Sequence, residues 1–173
     1  MSHIIIDGYN VIGIFHKDME KARDRFVDLL IDYKKIKAHD ITVIYDGYKS
    51  GAGVEHVAVR GGVKIIYSRL GERADDVIKR IISKDRREWI VVSNDRDIVN
   101  HAWSVNSIPI PSDSFFEIVS RHARRSAEQA NEEIADELSC KDLEDDEYLH
   151  TFKGNPYKLS KKEKAIKRAL SKL

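Results

Sequence analysis

The chain has 173 residues, 42 % of them hydrophobic and 34 % charged, with a formal net charge of +1. Such a composition allows one domain with a real core and a solvated surface. No apolar run reaches the roughly 18 residues that a membrane span needs. A lone Cys140 cannot close an internal disulfide and fits a reducing compartment, so a cytoplasmic location is expected.

Met1-Ser2-His3-Ile4-Ile5-Ile6-Asp7 lacks the basic region and long apolar stretch of a signal peptide, and reads as a first strand over His3–Ile6. From Ala22 the apolar positions Phe26, Leu29, Leu30, Tyr33 and Ile36 fall on one helical stripe. Asp40–Tyr45 is β-branched and predicts a second strand, Val63–Tyr67 a third. Ala74, Val77, Ile78, Ile81 and Ile82 mark a helix, and Trp89–Val92 a buried strand. A short helix over Asp97–Ala102, a strand over Val105–Ile110 and a long helix capped by Ser112 or Asp113 follow. The apolar stripe of that long helix is Phe116, Val119, Ala123, Ala127, Ala130, Ile134 and Leu138. Ser139–Pro156 reads as an acidic linker, and Ser160 caps a last helix with Ala165, Ile166, Ala169 and Leu170 on its apolar side.

Strands alternating with helices, each strand nearly continuous in apolar residues, predict an α/β fold whose parallel sheet is covered on both faces. Charge divides the end of the chain. Glu128–Glu147 holds ten acids against Lys141 alone, and Tyr157–Leu173 holds seven Lys/Arg against Glu163 alone. The expected partition is a domain over 1–125 and a helical extension over 126–173, with an acidic linker and a basic tail suited to a polyanion or to two solvated helix faces.

In an open parallel sheet, ligands bind beyond the carboxyl ends of the strands. Asp7, Asp46, and the pair Asp95 and Asp97 follow three predicted strands, and Asp75 and Asp76 open the helix after a fourth. Consecutive helical residues diverge by about 100°, so only one of that last pair can face a cleft. Asp75 lies beside the core stripe, whereas Asp76 falls at ion-pair spacing from Lys79 and Arg80 on the solvent side. Each acid alone has an ordinary alternative as a helix cap or turn former. Four of them at one end of one sheet would repel one another unless a cation neutralised them. Hard oxygen ligands of this kind suit Mg²⁺ or Mn²⁺, with Asp7, Asp75, Asp95 and Asp97 as the candidate ligands. Such a centre can lower the pKa of water and align it on phosphorus. Asn10 could hydrogen-bond a phosphate or serve the loop, and Ser93 and Asn94 could support the site or turn the chain. Dinucleotide, P-loop, zinc and serine-elbow motifs are absent from the sequence.

The strings Ile-Ile-Asp-Gly-Tyr-Asn-Val-Ile (5–12), Tyr-Asp-Gly (45–47), Gly-Glu-Arg-Ala-Asp-Asp-Val-Ile (71–78) and Val-Val-Ser-Asn-Asp-Arg-Asp-Ile (91–98) together resemble NYN domains of the PIN-like nuclease superfamily, in the order of the YacP-like branch. The resemblance spans about residues 3–125. It implies a PIN-like three-layer α/β/α sandwich and a metal-dependent endoribonuclease acting on mRNA or rRNA, with the ribosome as a partner it suggests. It carries over Asp7, Asn10, Asp46, Asp75 and Asp95, and with less support Asp97. Arg73 stands where YacP-like sequences often show Thr; it is read as a phosphate contact or as a partner of Glu72.

For RNA contact the candidates are Lys49 and Arg60 in the glycine-rich stretch Tyr48–Gly62, Arg73, and the tail residues Lys161, Lys162, Lys164, Lys167 and Arg168. Arg121, Arg124 and Arg125 extend the track. Two other readings compete: a non-catalytic RNA- or ribosome-binding module, and a structure-specific DNA nuclease. A pure binder gains nothing from acids facing phosphates, and the chain lacks the helical arch or helix-hairpin-helix of a flap nuclease.

Overall fold

The computed structural model describes residues 1–13, 18–47, 54–85, 87–135 and 160–173, with the side chains of 126–135 left aside. Six strands and six helices follow in order: β1 (His3–Asp7), α1 (Gly8–Ile12), α2 (Met19–Ile36), β2 (Asp40–Tyr45), β3 (His56–Arg60), β4 (Val63–Tyr67), α3 (Ala74–Lys84), β5 (Trp89–Val92), α4 (Arg96–Ser104), β6 (Ile108–Ile110), α5 (Ser112–Ala135) and α6 (Lys161–Leu170).

The strands form one sheet in the order β3-β4-β2-β1-β5-β6. All neighbours run parallel except β3, which pairs antiparallel with β4 through a two-residue turn at Gly61–Gly62. The chain winds outward from β1 through β2 to β4, then crosses back to β5 on the other side. The order therefore reverses between β1 and β5, the place where open α/β sheets bind ligands.

Strand side chains alternate between faces, and two cores result. Ile4, Ile6, Val43, Tyr45, Ile65, Ile90 and Val92 pack with Phe26, Leu30, Tyr33, Phe115 and Val119 from α2 and α5. Ile5, Ile44, Ile66 and Val91 pack with Val77, Ile78, Ile82, Ile98 and Ala102 from α3 and α4. These two cores make the predicted three-layer α/β/α sandwich. The central strands are nearly continuous in apolar residues because both faces are covered; Ile4, Ile5 and Ile6 are all fully buried.

Three expectations need correction. The strand predicted over Val105–Ile110 begins only at Ile108. Asn106 adopts φ 58°, and the Asn106 and Ser107 amides donate to the Trp103 and Ala102 carbonyls, so Val105–Ser107 finish α4 as a Schellman cap. Neither Ser112 nor Asp113 caps α5, since both lie inside its first turn. The first turn closes on the Pro111 carbonyl, and the Ser112 hydroxyl turns elsewhere. The core residue at the start of α5 is Phe115, fully buried, rather than Phe116, which is 43 % exposed. Ala127, Ala130, Ile134 and Leu138 lie outside the residues whose side chains are described.

The last helix behaves as its sequence asks. Ser160 and Glu163 form a reciprocal capping box, and α6 packs on β6. Ala169 and Leu173 enter the first core, with the Tyr33 hydroxyl donating to the Leu173 carbonyl at 2.8 Å. Among the described residues no helix is long and apolar enough to cross a membrane.

Candidate active site

The alternation of strand side chains decides where the acids point. Asp7 shares the parity of Ile5, and Asp46 that of Ile44, so both emerge on the α3/α4 side of the sheet. There the first turn of α3 brings Asp75, and the N-terminus of α4 brings Asp95. Register supports the meeting: Asp7 pairs with Ile44, and Ile6 with Val92. Asp7 and Asp95 thus flank the point where the strand order reverses.

Local hydrogen bonds hold each acid. Asp7 caps α1, its Oδ1 accepting from the Asn10 amide at 3.2 Å, and its Oδ2 accepts from the Ser93 hydroxyl at 3.3 Å. Asp95 caps α4 through the Asp97 and Ile98 amides. The Asp95 amide in turn donates to Ser93 Oγ at 3.1 Å, so one serine ties Asp7 to Asp95. Asp46 Oδ1 accepts from the Ala74 amide at 2.6 Å, fixing the start of α3. Gly47 makes this possible. A Cβ there would lie 1.8 Å from the Ser68 carbonyl oxygen, so only glycine lets the end of β2 lie this close to the end of β4.

Asn10 is the hub of the second ring. Its Oδ1 accepts from the Asn94 amide at 2.8 Å and from the Ser112 hydroxyl at 2.6 Å, while Asn94 Oδ1 accepts from the Ser112 amide at 3.0 Å. The Asn10 carbonyl is therefore committed to the scaffold, which leaves its Nδ2 as the atom able to meet a phosphate. Ser93 and Asn94 carry the supporting role that was one of their two sequence readings. Ser68 is not singled out in the sequence, where a serine after a strand is too common to stand out, and Ser112 is read there only as a helix cap.

The electrostatics are those of a crowded acidic site. Asp7 is 7 % exposed, and its carboxyl is pushed up to about 6, first by burial and then by the Asp75 and Asp46 charges. Burial also raises Asp75, with Asp95 and Asp46 adding to the shift and the Arg73 guanidinium opposing it. The acids are thus close enough to feel one another. Yet among the described residues no three His, Cys, Asp or Glu side chains converge tightly enough to hold an ion as they stand. The donor chemistry fits a hard divalent cation: oxygen ligands only, mutually repelling, one of them buried at a cost.

Other sequence candidates lie elsewhere. Asp97 is exposed and pairs with Lys79; its charged neighbours are Lys79, His101 and Arg73 rather than the acids. Arg73 bonds Asp75 at 2.9 Å, not Glu72, which pairs with Arg69 and Arg80. Asp76 is exposed as expected, but Lys79 and Arg80 turn to Asp97 and to Glu55 instead of to it. Arg60 lies at the far end of the hairpin, opposite Val63, where it pairs with Asp24 and Asp28. Lys49 and the acidic linker lie outside the described residues. Lys161, Lys164, Lys167 and Arg168 are exposed on α6, and Lys162 stands 5.3 Å above the Trp103 ring. That helix leads to Lys172, 3.7 Å from Glu88 at the start of β5, so it lies toward the strand beginnings. The acids stand at the strand ends, about 15 Å away at the rise of a parallel strand.

Known proteins share the family and the fold. The profile of the YacP-like NYN domain matches residues 4–154. Two crystal structures of Rae1 (YacP) from Bacillus subtilis share the fold. A mutant form superposes with a TM-score of 0.65 at 19 % identity, covering 80 % of this chain and 87 % of that one. A second structure gives 0.64 at 17 % identity, covering 79 % and 84 %. A search of curated proteins gives no match.

Proposed function

Because the chain belongs to the YacP-like NYN domain family, a group of nuclease-type, RNA-related domains, we propose that it is a metal-dependent endoribonuclease. The observation that carries this reading is the gathering of Asp7, Asp46, Asp75 and Asp95 at the reversal of strand order, with Asp7 raised to about 6. Proteins do not keep such mutual repulsion for packing.

Asp7, Asp75 and Asp95 would hold Mg²⁺ or Mn²⁺. A bound divalent cation supplies an acidified water and charge neutralisation at phosphorus. The chain's own residues do the rest. Asp46 fixes the start of α3, and with it the position of Asp75. Ser93 keeps Asp7 and Asp95 in one frame. Asn10 offers its amide to a phosphate oxygen while its carbonyl is held by Asn94 and Ser112. Arg73, 74 % exposed at the rim and paired with Asp75, would be free to meet a phosphate if Asp75 held the cation. Asp97 stays with Lys79 and lies outside the ligand set.

The exposed cations of α6 bind polyanion at a distance from the cut, giving affinity that falls with salt and no base choice. A ribosome presenting the RNA would supply the specificity that the domain lacks. A non-catalytic binder is the weaker reading, because clustered carboxylates repel phosphate. Asp95→Asn is the separating experiment. The variant keeps the α4 cap, since Asn caps as well as Asp. It is expected to bind labelled RNA as wild type does and to lose cleavage; unchanged cleavage would remove Asp95 from the site.

A further inference from the structure

On the other face of the same sheet edge, one residue from Asp46 and two from Asp7, lies an aromatic cluster. Tyr45 precedes Asp46, Tyr67 ends β4, and Tyr9 follows Asp7-Gly8. The Tyr45 and Tyr67 rings stack at 5.8 Å between centroids, Tyr9 meets Tyr45 edge-on at 5.2 Å, and His56 lies 6.1 Å from Tyr67. Tyr45 forms the floor. It is fully buried, and a Cβ on Gly8 would strike its ring at 2.2 Å, so the glycine of Asp7-Gly8 lets the cluster pack against the acid's own backbone. Tyr9 and Tyr67 are half-buried and His56 is exposed, so the cluster opens to solvent.

Arg23 of α2 completes it. Its guanidinium stands 5.7 Å from the Tyr67 centroid and 6.0 Å from that of Tyr45, and it donates to the Tyr9 hydroxyl at 3.4 Å. Among the described residues no carboxylate pairs with it; its neighbour Asp24 bonds Arg60 instead. A half-buried guanidinium with three rings around it and, among the described residues, no carboxylate paired to it is a ready anion site, and the flat surfaces beside it suit a base.

We propose that Tyr9, Tyr67, His56 and Arg23 form a nucleotide subsite for single-stranded RNA. The base lies against Tyr67 and His56, and its phosphate meets Arg23. The next phosphate along the strand is carried over the sheet edge to Asp7 and Asp46. This subsite rests on the nuclease reading for its purpose but not for its test. Stacking of this kind accepts any base, so it orients the strand without selecting sequence.

The test measures fluorescence anisotropy of the full chain with labelled oligoadenylate, and with a ribose-phosphate chain of the same length that lacks bases, both in EDTA. Tyr67→Leu is expected to weaken oligoadenylate binding about tenfold, in line with the loss of one stacked base, and Tyr67→Phe by less than about twofold. The abasic chain should bind wild type and Tyr67→Leu alike. His56→Ala, on an exposed side chain that folding does not need, should weaken only the base-bearing chain. Arg23→Gln should weaken both and lower the salt slope by about 0.7. Equal oligoadenylate affinity in wild type, Tyr67→Leu and His56→Ala, or an equal loss on the abasic chain, would overturn the subsite. Because the subsite is read from binding and the nuclease from cleavage, the two readings fail separately. A chain that cuts RNA but ignores Tyr67→Leu refutes the subsite alone; one that stacks bases yet never cuts refutes the nuclease alone.

Discussion

Asp7→Asn is expected to make the metal-free protein more stable near neutral pH, by about 3 kcal/mol. The carboxyl is almost fully buried, and its pKa rises from 3.8 to about 6. A carboxyl raised on folding favours the protonated native state. Its stabilising contribution is complete below about pH 3.8 and is lost as pH rises through about 6, after which the buried charge is a standing cost. Asparagine removes that cost while keeping the cap on α1. Denaturation in EDTA at about pH 7.5 should therefore show the variant more stable, and the gain should fade as pH falls toward 4. A variant less stable than wild type at about pH 7.5 would mean that the Asp7 charge is already compensated by its neighbours. A stabilising change at a buried acid is the mark of a residue kept for function.

The second large effect separates two neighbours. Asp75→Asn is expected to lower RNA cleavage by at least about 100-fold, beyond the roughly 10- to 100-fold typical of losing an outer-shell partner of a metal. Asp76→Asn should change it by less than about twofold. The chemical change is the same and the positions are adjacent; only their direction on α3 differs. Asp75 has its side chain 14 % exposed and feels Asp95 and Asp46, whereas Asp76 faces solvent. Rate constants for both variants under saturating RNA decide the matter. Equal losses would show that the first turn of α3 as a whole, rather than one carboxylate aimed at the cleft, sets activity.

That contrast was legible before any coordinates, because a helix of known register leaves adjacent residues about 100° apart. The strands were legible for a similar reason. Those covered on both faces are nearly continuous in apolar residues, and Asp40–Tyr45, Val63–Tyr67 and Trp89–Val92 occur at the predicted bounds. What failed was one local helix cap and whatever depends on partners distant in sequence. Val105 and Asn106 look like strand residues, but the end of α4 needs a left-handed position and takes Asn106 for it. Phe115 and Phe116 are indistinguishable by composition, and only the angle of α5 on the sheet decides which is buried. Arg60 looked like a phosphate ligand because the glycine-rich stretch follows Asp46; the hairpin carries it one strand length away to Asp24 and Asp28. The hub at Asn10 spans 84 residues to Asn94 and 102 to Ser112, and the aromatic cluster draws on α1, α2 and three strands. No local pattern encodes such meetings.

The proposed chemistry is that clustered carboxylates bind a divalent cation and cut RNA. Its most direct test is cleavage of a mixed pool of labelled RNA and single-stranded DNA with Mn²⁺, Mg²⁺ or EDTA, by wild type and Asp7→Asn side by side. Metal-dependent cutting of RNA that disappears in EDTA and in the variant, with DNA left intact, is expected. Cutting that persists in EDTA or in Asp7→Asn, or binding of RNA without any cutting under every metal, would contradict it.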